Sequence, residues 1–323
     1  MAINWQPTAE IETLKRRAQL LADVRLFFAK RNVLEVETPI LSSVAPTAPY
    51  LDSFQTDFIP LGTQDKFTHY LQTSPEFAMK RLLAAGSGSI YQIAKVFRNG
   101  EKGRQHSPEF TMLEWYRPEL DFEQLMDEVG SLLQNIAQTK PAVKFSYQQV
   151  FQQYLNIDAI NCSDDELKQL AESHIEGIDD SWVMSRDDWL ELLMSQVIEP
   201  KLAKLDVPVV IYDFPASQAQ LAKVSKDENG NKVAKRFELY AGGMELANGY
   251  DELLNADELR QRFELDNQQR QQQNKPAMPL DENLLAAMKS GLPQCTGVAL
   301  GLDRLMMLVT NQDNVSDVQS FGC

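Results

Sequence analysis

The chain has 323 residues, 43% of them hydrophobic and 24% charged, with a formal net charge of −15. That length can bury a large core in one domain or two, and the ordinary composition excludes a fibrous or disordered protein. Strong acidity without a Lys/Arg-rich run argues against broad contact with a nucleic-acid backbone, which is bound largely through basic residues.

The N-terminus, from Met1 to Pro7, has no basic flank leading into an apolar stretch, so no signal peptide is expected and a cytoplasmic location is. Ile11, Leu14, Ala18, Leu21, Val24, Phe27 and Phe28 recur at helical spacing and predict a helix over 8–31. Residues 33–39 read as a strand stopped by Pro39. Residues 40–66 read as loops around a strand near 54–59. Ser74-Pro75-Glu76 opens a helix, with Ser74 suited to capping and Pro75 to the first turn. Strands follow over 90–97 and 110–116, then helices over 122–138, 146–155, 163–173 and 186–203. The acids Asp164, Asp165, Glu166, Asp187 and Asp188 stand at the N-termini of the last two, where the helix dipole favours them. Strands over 207–214 and 233–240, a polar helix over 257–273 and a shorter one over 281–290 come next. A glycine-spaced strand from Thr296 to Gly301 then runs into a helix from Asp303. Strands scattered among helices without regular alternation predict an α+β fold with a mixed or antiparallel sheet. One domain is expected, with a helical insertion at about 158–205. Cys162, Cys295 and Cys323 are widely spaced, which predicts reduced thiols and no zinc site.

Several stretches carry chemistry. Arg98 is a permanently charged fork able to clamp a phosphate; His106 and Phe110 follow in a loop and on the returning strand, where Phe110 can stack on a purine. The plainer reading is a solvated hairpin with Gly100 to Arg104 as its turn. Gly297, Gly301 and Arg304 form a second cluster: glycines admit a ligand close to the backbone, and Arg304 on the next helical turn can meet a phosphate. A tight strand–helix junction explains the glycines equally well. Glu245 and Glu252 flank Asn248-Gly249 an odd number of positions apart. On one regular strand they would face opposite ways; a bulge or turn at Asn248-Gly249 would let them converge, and two carboxylates with phosphate oxygens suit Mg²⁺. Glu76, Glu114 and Tyr116 offer acceptors for the amino groups of a cationic substrate, although Glu76 can equally serve as a first-turn helix acid.

Arg98 with His106 and Phe110, Pro39 after a helix and strand, and Gly297 to Arg304 resemble the three motifs of class II aminoacyl-tRNA synthetases. The likeness is closer to the lysyl-tRNA synthetase catalytic domain. It rests on Thr73-Ser74-Pro75-Glu76 with Lys80-Arg81-Leu82, on His106 to Tyr116, on Glu245 to Leu253, and on Gly291-Leu292-Pro293, and it spans roughly residues 10–320. Two features depart from it. The catalytic pattern begins almost at Met1, where a lysyl-tRNA synthetase carries an anticodon-binding domain, so no such domain is expected. Ala299 stands where the synthetases have glycine. Both features resemble a truncated branch of the family that joins (R)-β-lysine to a lysine of elongation factor P instead of to tRNA. Even there, Gly100 replaces a usual glutamate that contacts the adenine amino group, with Glu101 next to it, and Ser107 replaces a usual asparagine.

The resemblance implies ATP and Mg²⁺ as cofactors, (R)-β-lysine as substrate and elongation factor P as acceptor. It also implies a homodimer built around Pro39, without tRNA or membrane as a partner. It makes Arg98 and Arg304 catalytic clamps on the α- and γ-phosphates. Asn99, Gly100, His106, Ser107, Phe110, Glu245, Leu246 and Gly301 join them around ATP, and Glu245 with Glu252 hold Mg²⁺. Ser74, Pro75, Glu76, Glu114, Tyr116, Glu252 and Ala299 form the amino-acid site. Two other readings remain open: an enzyme charging RNA with lysine, and a regulatory module that binds ligand without catalysis.

Overall fold

A computed structural model describes residues 5–179 and 181–322, which form two compact units. The first combines the chain up to Leu120 with the chain from Leu253 onward, and the second is Asp121–Glu252. In the first unit α1 (Ile11–Ala29) leads to β1 (Leu34–Glu35), β2 (Leu41–Ser42), β3 (Gln55–Phe58) and β4 (Phe67–Leu71). Then come α2 (Glu76–Ala84), β5 (Ile90–Phe97) and β6 (Glu109–Arg117). The apolar stripe of α1 buries Leu20, Val24, Phe27 and Phe28. Phe28 stacks on Tyr91 of β5 at 4.4 Å and meets Trp115 of β6 edge-on at 5.3 Å, so α1 covers one face of this hairpin. The strand expected over 33–39 is short. After Val36, whose N–H donates to the Tyr91 carbonyl at 2.9 Å, the chain leaves the sheet ahead of Pro39, which has no N–H to give.

The second unit contains α3 (Phe122–Ala137), β7 (Val143–Ser146), α4 (Tyr147–Leu155), α5 (Asp164–His174), α6 (Arg186–Leu193) and α7 (Glu199–Leu202). They are followed by β8 (Val209–Pro215), β9 (Val224–Lys226), β10 (Lys232–Ala241) and β11 (Met244–Asp251). Asp121, Ser146, Ser163 and Ser185 each start a helix through a reciprocal capping box with the residue three positions on. Tyr147, Phe151, Trp189, Leu193, Ile198, Ile211 and Phe214 fill its core, so the helices between 158 and 205 share the core of β8. The helix expected unbroken over 186–203 widens to π geometry at Met194–Ile198. Pro200, in the turn that follows, cannot donate to a carbonyl one turn back, and the wider turn absorbs the loss.

The chain returns to the first unit with α8 (Ala256–Gln272), α9 (Glu282–Gly291), β12 (Thr296–Gly301) and α10 (Leu302–Thr310). Here the strand order is β1-β5-β6-β12, parallel at the first pair and antiparallel after it, and β2-β4-β3 make a separate small sheet. The second unit pairs β7 with β8 in parallel and β8, β10 and β11 antiparallel. Mixed sheets flanked by helices agree with the α+β expectation. No helix among the described residues is long and apolar enough to cross a membrane. Cys162 and Cys295 are free thiols, and Cys323 lies outside the described residues.

Candidate active site

Strand alternation decides which side chains meet. On β6, Phe110, Met112, Glu114 and Tyr116 point to the face away from Trp115. Their direct partners are Val96, Ala94, Gln92 and Ile90 on β5. On β12 the residues opposite Met112, Glu114 and Tyr116 are Gly301, Ala299 and Gly297. The glycines thus clear the sheet floor on either side of Ala299, whose methyl is on the same face as the Glu114 side chain. Arg98 continues the alternation just past β5, with its N–H on the Pro108 carbonyl at 3.0 Å.

Glu114 is 2% exposed. Its two oxygens accept from the Ser74 hydroxyl at 2.7 Å and the Tyr116 hydroxyl at 2.6 Å. Ser74 also accepts from the Glu76 N–H at 3.0 Å from one position before the N-cap; the N-cap is Pro75, not Ser74 as expected, and the helix begins at Glu76. One turn into α2 the Lys80 ammonium meets the Glu76 carboxylate at 2.5 Å, and Lys80 is 2% exposed. Burial pushes the Glu114 carboxyl up to about 7, and the Glu76 charge pushes the same way. The Tyr116 and Ser74 hydroxyls and the Lys80 ammonium pull against them. The result is a dry, acidic recess able to take an ammonium group.

Beyond the end of β5, the Arg98 guanidinium lies 5.1 Å from the centre of the Phe110 ring and 3.6 Å from the Glu101 carboxylate. Gly100 between them has φ +89°, a conformation that a side chain disfavours, and its N-terminal neighbour Asn99 donates its N–H to the Asp52 carbonyl at 2.8 Å. Arg304, at the start of α10, donates to the Gln105 carbonyl at 3.2 Å and to His106 Nε2 at 2.8 Å. A guanidinium only donates, so His106 accepts at Nε2 and carries its proton on Nδ1 as a neutral ring. Burial and then the Arg304 charge lower its basicity, with Glu101 opposing. Arg98 Nε and the Ser107 hydroxyl are buried without a hydrogen-bond partner among the described residues. An anion with several oxygens, such as a polyphosphate, would satisfy both.

In the second unit, Glu245 and Glu252 resolve their odd spacing through a bulge. Leu239 faces Ala247 while Tyr240 faces Glu245, leaving Leu246 as the extra residue. The irregularity therefore falls at Leu246 and not at Asn248-Gly249, which pair regularly with Glu238 and Phe237. One added residue reverses the parity, so Glu245 shares a face with Asn248, Tyr250 and Glu252. Its charge acts on Arg236 and Tyr240 of the same face. A pair of carboxylates fits Mg²⁺ that takes its other oxygens from phosphate and water. Among the described residues no group of three or more His, Cys, Asp and Glu side chains forms a closed cage.

Residues 4–323 match the family model of class II tRNA synthetases (D, K and N). The chain belongs to the class II tRNA synthetases. Within that family it is 50% identical over 320 residues to an elongation factor P–(R)-β-lysine ligase of Haemophilus influenzae (strain PittGG), covering 99% of this chain and 97% of the relative. Ligases with the same name from Photorhabdus laumondii (50% over 323 residues) and Yersinia pestis (50% over 319 residues) match 99% and 98% of this chain, and 97% of each relative. As a synthetase-like ligase the protein uses ATP.

Three further residues, not among the sequence candidates, stand beside these groups. Asp303, beside Arg304, is 2% exposed and anchors the start of α10. It pairs with Arg17 of α1 at 2.6 Å and accepts from the Thr111 N–H at 2.8 Å and Gln319 at 3.1 Å. Its partners are scattered along the chain, so no local pattern points to it. Lys80 carried a signal, since a lysine four positions after a glutamate on a helix is a ready ion pair. Glu101 carried a weaker one, as the acid nearest Arg98 in the turn.

Proposed function

We propose that this protein activates (R)-β-lysine with ATP as an aminoacyl-adenylate and transfers it to the ε-amine of a lysine on elongation factor P. One observation carries the reading: a buried acidic recess, Glu114 with Glu76, has the Ala299 methyl directly opposite Glu114. A diamino acid suits two carboxylates, and a methyl in place of glycine suits an isomer with its amine displaced. The nearly full-length relatives named for this activity support it.

In the first half-reaction a carboxylate oxygen of the amino acid attacks the α-phosphorus of ATP. The bond to the β-phosphate oxygen breaks and pyrophosphate leaves. No side-chain nucleophile is needed, so catalysis is positioning and charge stabilisation. Arg98 holds the α-phosphate and Arg304 the γ-phosphate, while His106 orients Arg304 as an acceptor that stays neutral. Phe110 stacks on adenine, and Asn99, Gly100, Ser107, Leu246 and Gly301 line the nucleotide. Glu245 and Glu252 would hold Mg²⁺, which would supply positive charge to offset that of the phosphates. Ser74, Pro75, Glu76, Glu114, Tyr116, Glu252 and Ala299 receive the amino acid. In the second half-reaction the acceptor amine attacks the adenylate carbonyl; a C–N bond forms, AMP leaves and the amine loses a proton.

A homodimer completes the proposal, supported by the exposed apolar side chains of Leu34, Ile40 and Leu41 beside Pro39. A single catalytic domain with a helical insertion at about 158–205 belongs to the same proposal. ATP–pyrophosphate exchange with (R)-β-lysine and with α-lysine tests the first step, and a mass shift on elongation factor P tests the second. Exchange with neither isomer, or charging of tRNA with no modification of the protein acceptor, would overturn the reading.

A further inference from the structure

The amine recess contains a cation of its own. Lys80 is as buried as Glu114, and burying an ammonium is costly unless it is paired. Its Nζ sits 2.5 Å from Glu76 Oε1. The donors to the Glu114 oxygens shown among the described residues are neutral, the Ser74 and Tyr116 hydroxyls. The residues directly across from it are uncharged: Gln92 on β5, which accepts from Thr38 at 3.0 Å, and Ala299 on β12. The foremost charges acting on Glu114 are Glu76, which opposes its ionisation, and Lys80, which favours it.

We propose that Lys80 sets the charge of the substrate's amine site: its fixed ammonium orients Glu76 and offsets its charge, so that Glu114 can ionise and receive one substrate ammonium. The cluster of two carboxylates and one internal ammonium then carries a single net negative charge. It accepts one cationic group strongly and gives the other amine of a diamino acid only a shared carboxylate oxygen. Lys80 acts through its neighbours, as a positioning residue. The proposal rests on the reading of Glu76 and Glu114 as the amino-acid site.

Substrate binding then releases the proton held by Glu114, and the number released reports the work of Lys80. With the carboxyl near 7, wild-type protein at pH 7 should release about half a proton per (R)-β-lysine bound, measured by titration calorimetry in buffers of different ionisation enthalpy. Removing a cation beside a carboxylate raises its pKa by about 1–3 units. Lys80→Met should therefore release close to one proton at pH 7. Its KM for (R)-β-lysine should rise about tenfold at pH 7 with kcat nearly unchanged, and the defect should narrow toward pH 9 as Glu114 ionises. Lys80→Arg keeps the charge and should return the proton count to about half.

An equal proton count in wild type and Lys80→Met, or a KM defect constant from pH 7 to 9, would overturn the proposal. If Lys80→Met does not fold, the wild-type count still decides: a full proton means that Glu114 is neutral despite Lys80, and none means that it is fully ionised beforehand. Wild-type protein that binds neither lysine isomer refutes the functional reading instead, which keeps the two failures apart.

Discussion

Replacing Ala299 with glycine removes one methyl from the floor of the amine recess. Directly paired strand residues have Cβ atoms about 4.5–5.5 Å apart, so this methyl borders any ammonium seated on Glu114. Moving an amine from the β to the α carbon shifts it by roughly one bond, about 1.5 Å, which is comparable to the reach of that methyl. Differences of this size in a pocket yield about 10–200-fold discrimination. We expect Ala299→Gly to raise kcat/KM for α-lysine about tenfold relative to (R)-β-lysine. The methyl also packs against Ala94, Val96 and Met112. Its loss costs about 0.8 kcal/mol of burial, and glycine in a strand costs roughly 0.5–1 kcal/mol more. The variant should therefore melt a few degrees lower while keeping its KM for ATP. ATP–pyrophosphate exchange with both isomers at fixed ATP gives the ratio. A ratio unchanged within about twofold, in a folded variant with normal ATP binding, would refute the role of the methyl.

Other outcomes follow from the same geometry. The Glu114 carboxyl is raised to about 7, and a substrate ammonium needs it ionised, so KM for the amino acid should rise as pH falls through 7. Between pH 8 and pH 6 the factor (1 + 10)/(1 + 0.1) is about 10, and Glu114→Gln should abolish this dependence in pH-resolved exchange assays. Asp303→Ala strands the Arg17 guanidinium and should cost about 3–5 kcal/mol in denaturant unfolding, with exchange activity falling because Arg304 loses its anchored helix. Gly100→Glu places a side chain at a φ of +89°. It should cost about 1–2 kcal/mol in the same assay. Leu34→Asp places a charge on an apolar side chain that is 56% exposed. It should shift the protein from dimer to monomer in light scattering, and an unchanged mass would remove this surface from the proposed interface.

Much of the architecture is written locally. The stripe of α1, the four capping boxes between 121 and 188, and the strands of the Arg98 hairpin all arise from short-range patterns that agree with the final packing. The strand Met244–Asp251 was harder to read because Asn248-Gly249 is a turn signal in isolation; pairing along β10 overrides it. The helix over 186–203 hides its π segment because the cause, Pro200, acts one turn upstream of itself. In the proposed site, Arg98, Arg304 and the carboxylates of Glu76 and Glu114 stand in recognisable local motifs. The clamp on Asp303 joins Arg17, Thr111 and Gln319 from across the first unit, and only folding assembles it. The adenine question raised by Gly100 has a backbone answer in part: the turn there uses a left-handed residue, and the neighbouring Glu101 turns to Arg98.

The bulge at Leu246 also limits how this gene can change length. Because it alone brings Glu245 onto the face of Glu252, losing or gaining one codon between them would send one carboxylate to the opposite side of the sheet. Most surface loops accept such indels with little consequence. Across this strand only paired changes would preserve the facing, so the spacing between the two glutamates is as much a part of the proposed site as the glutamates themselves.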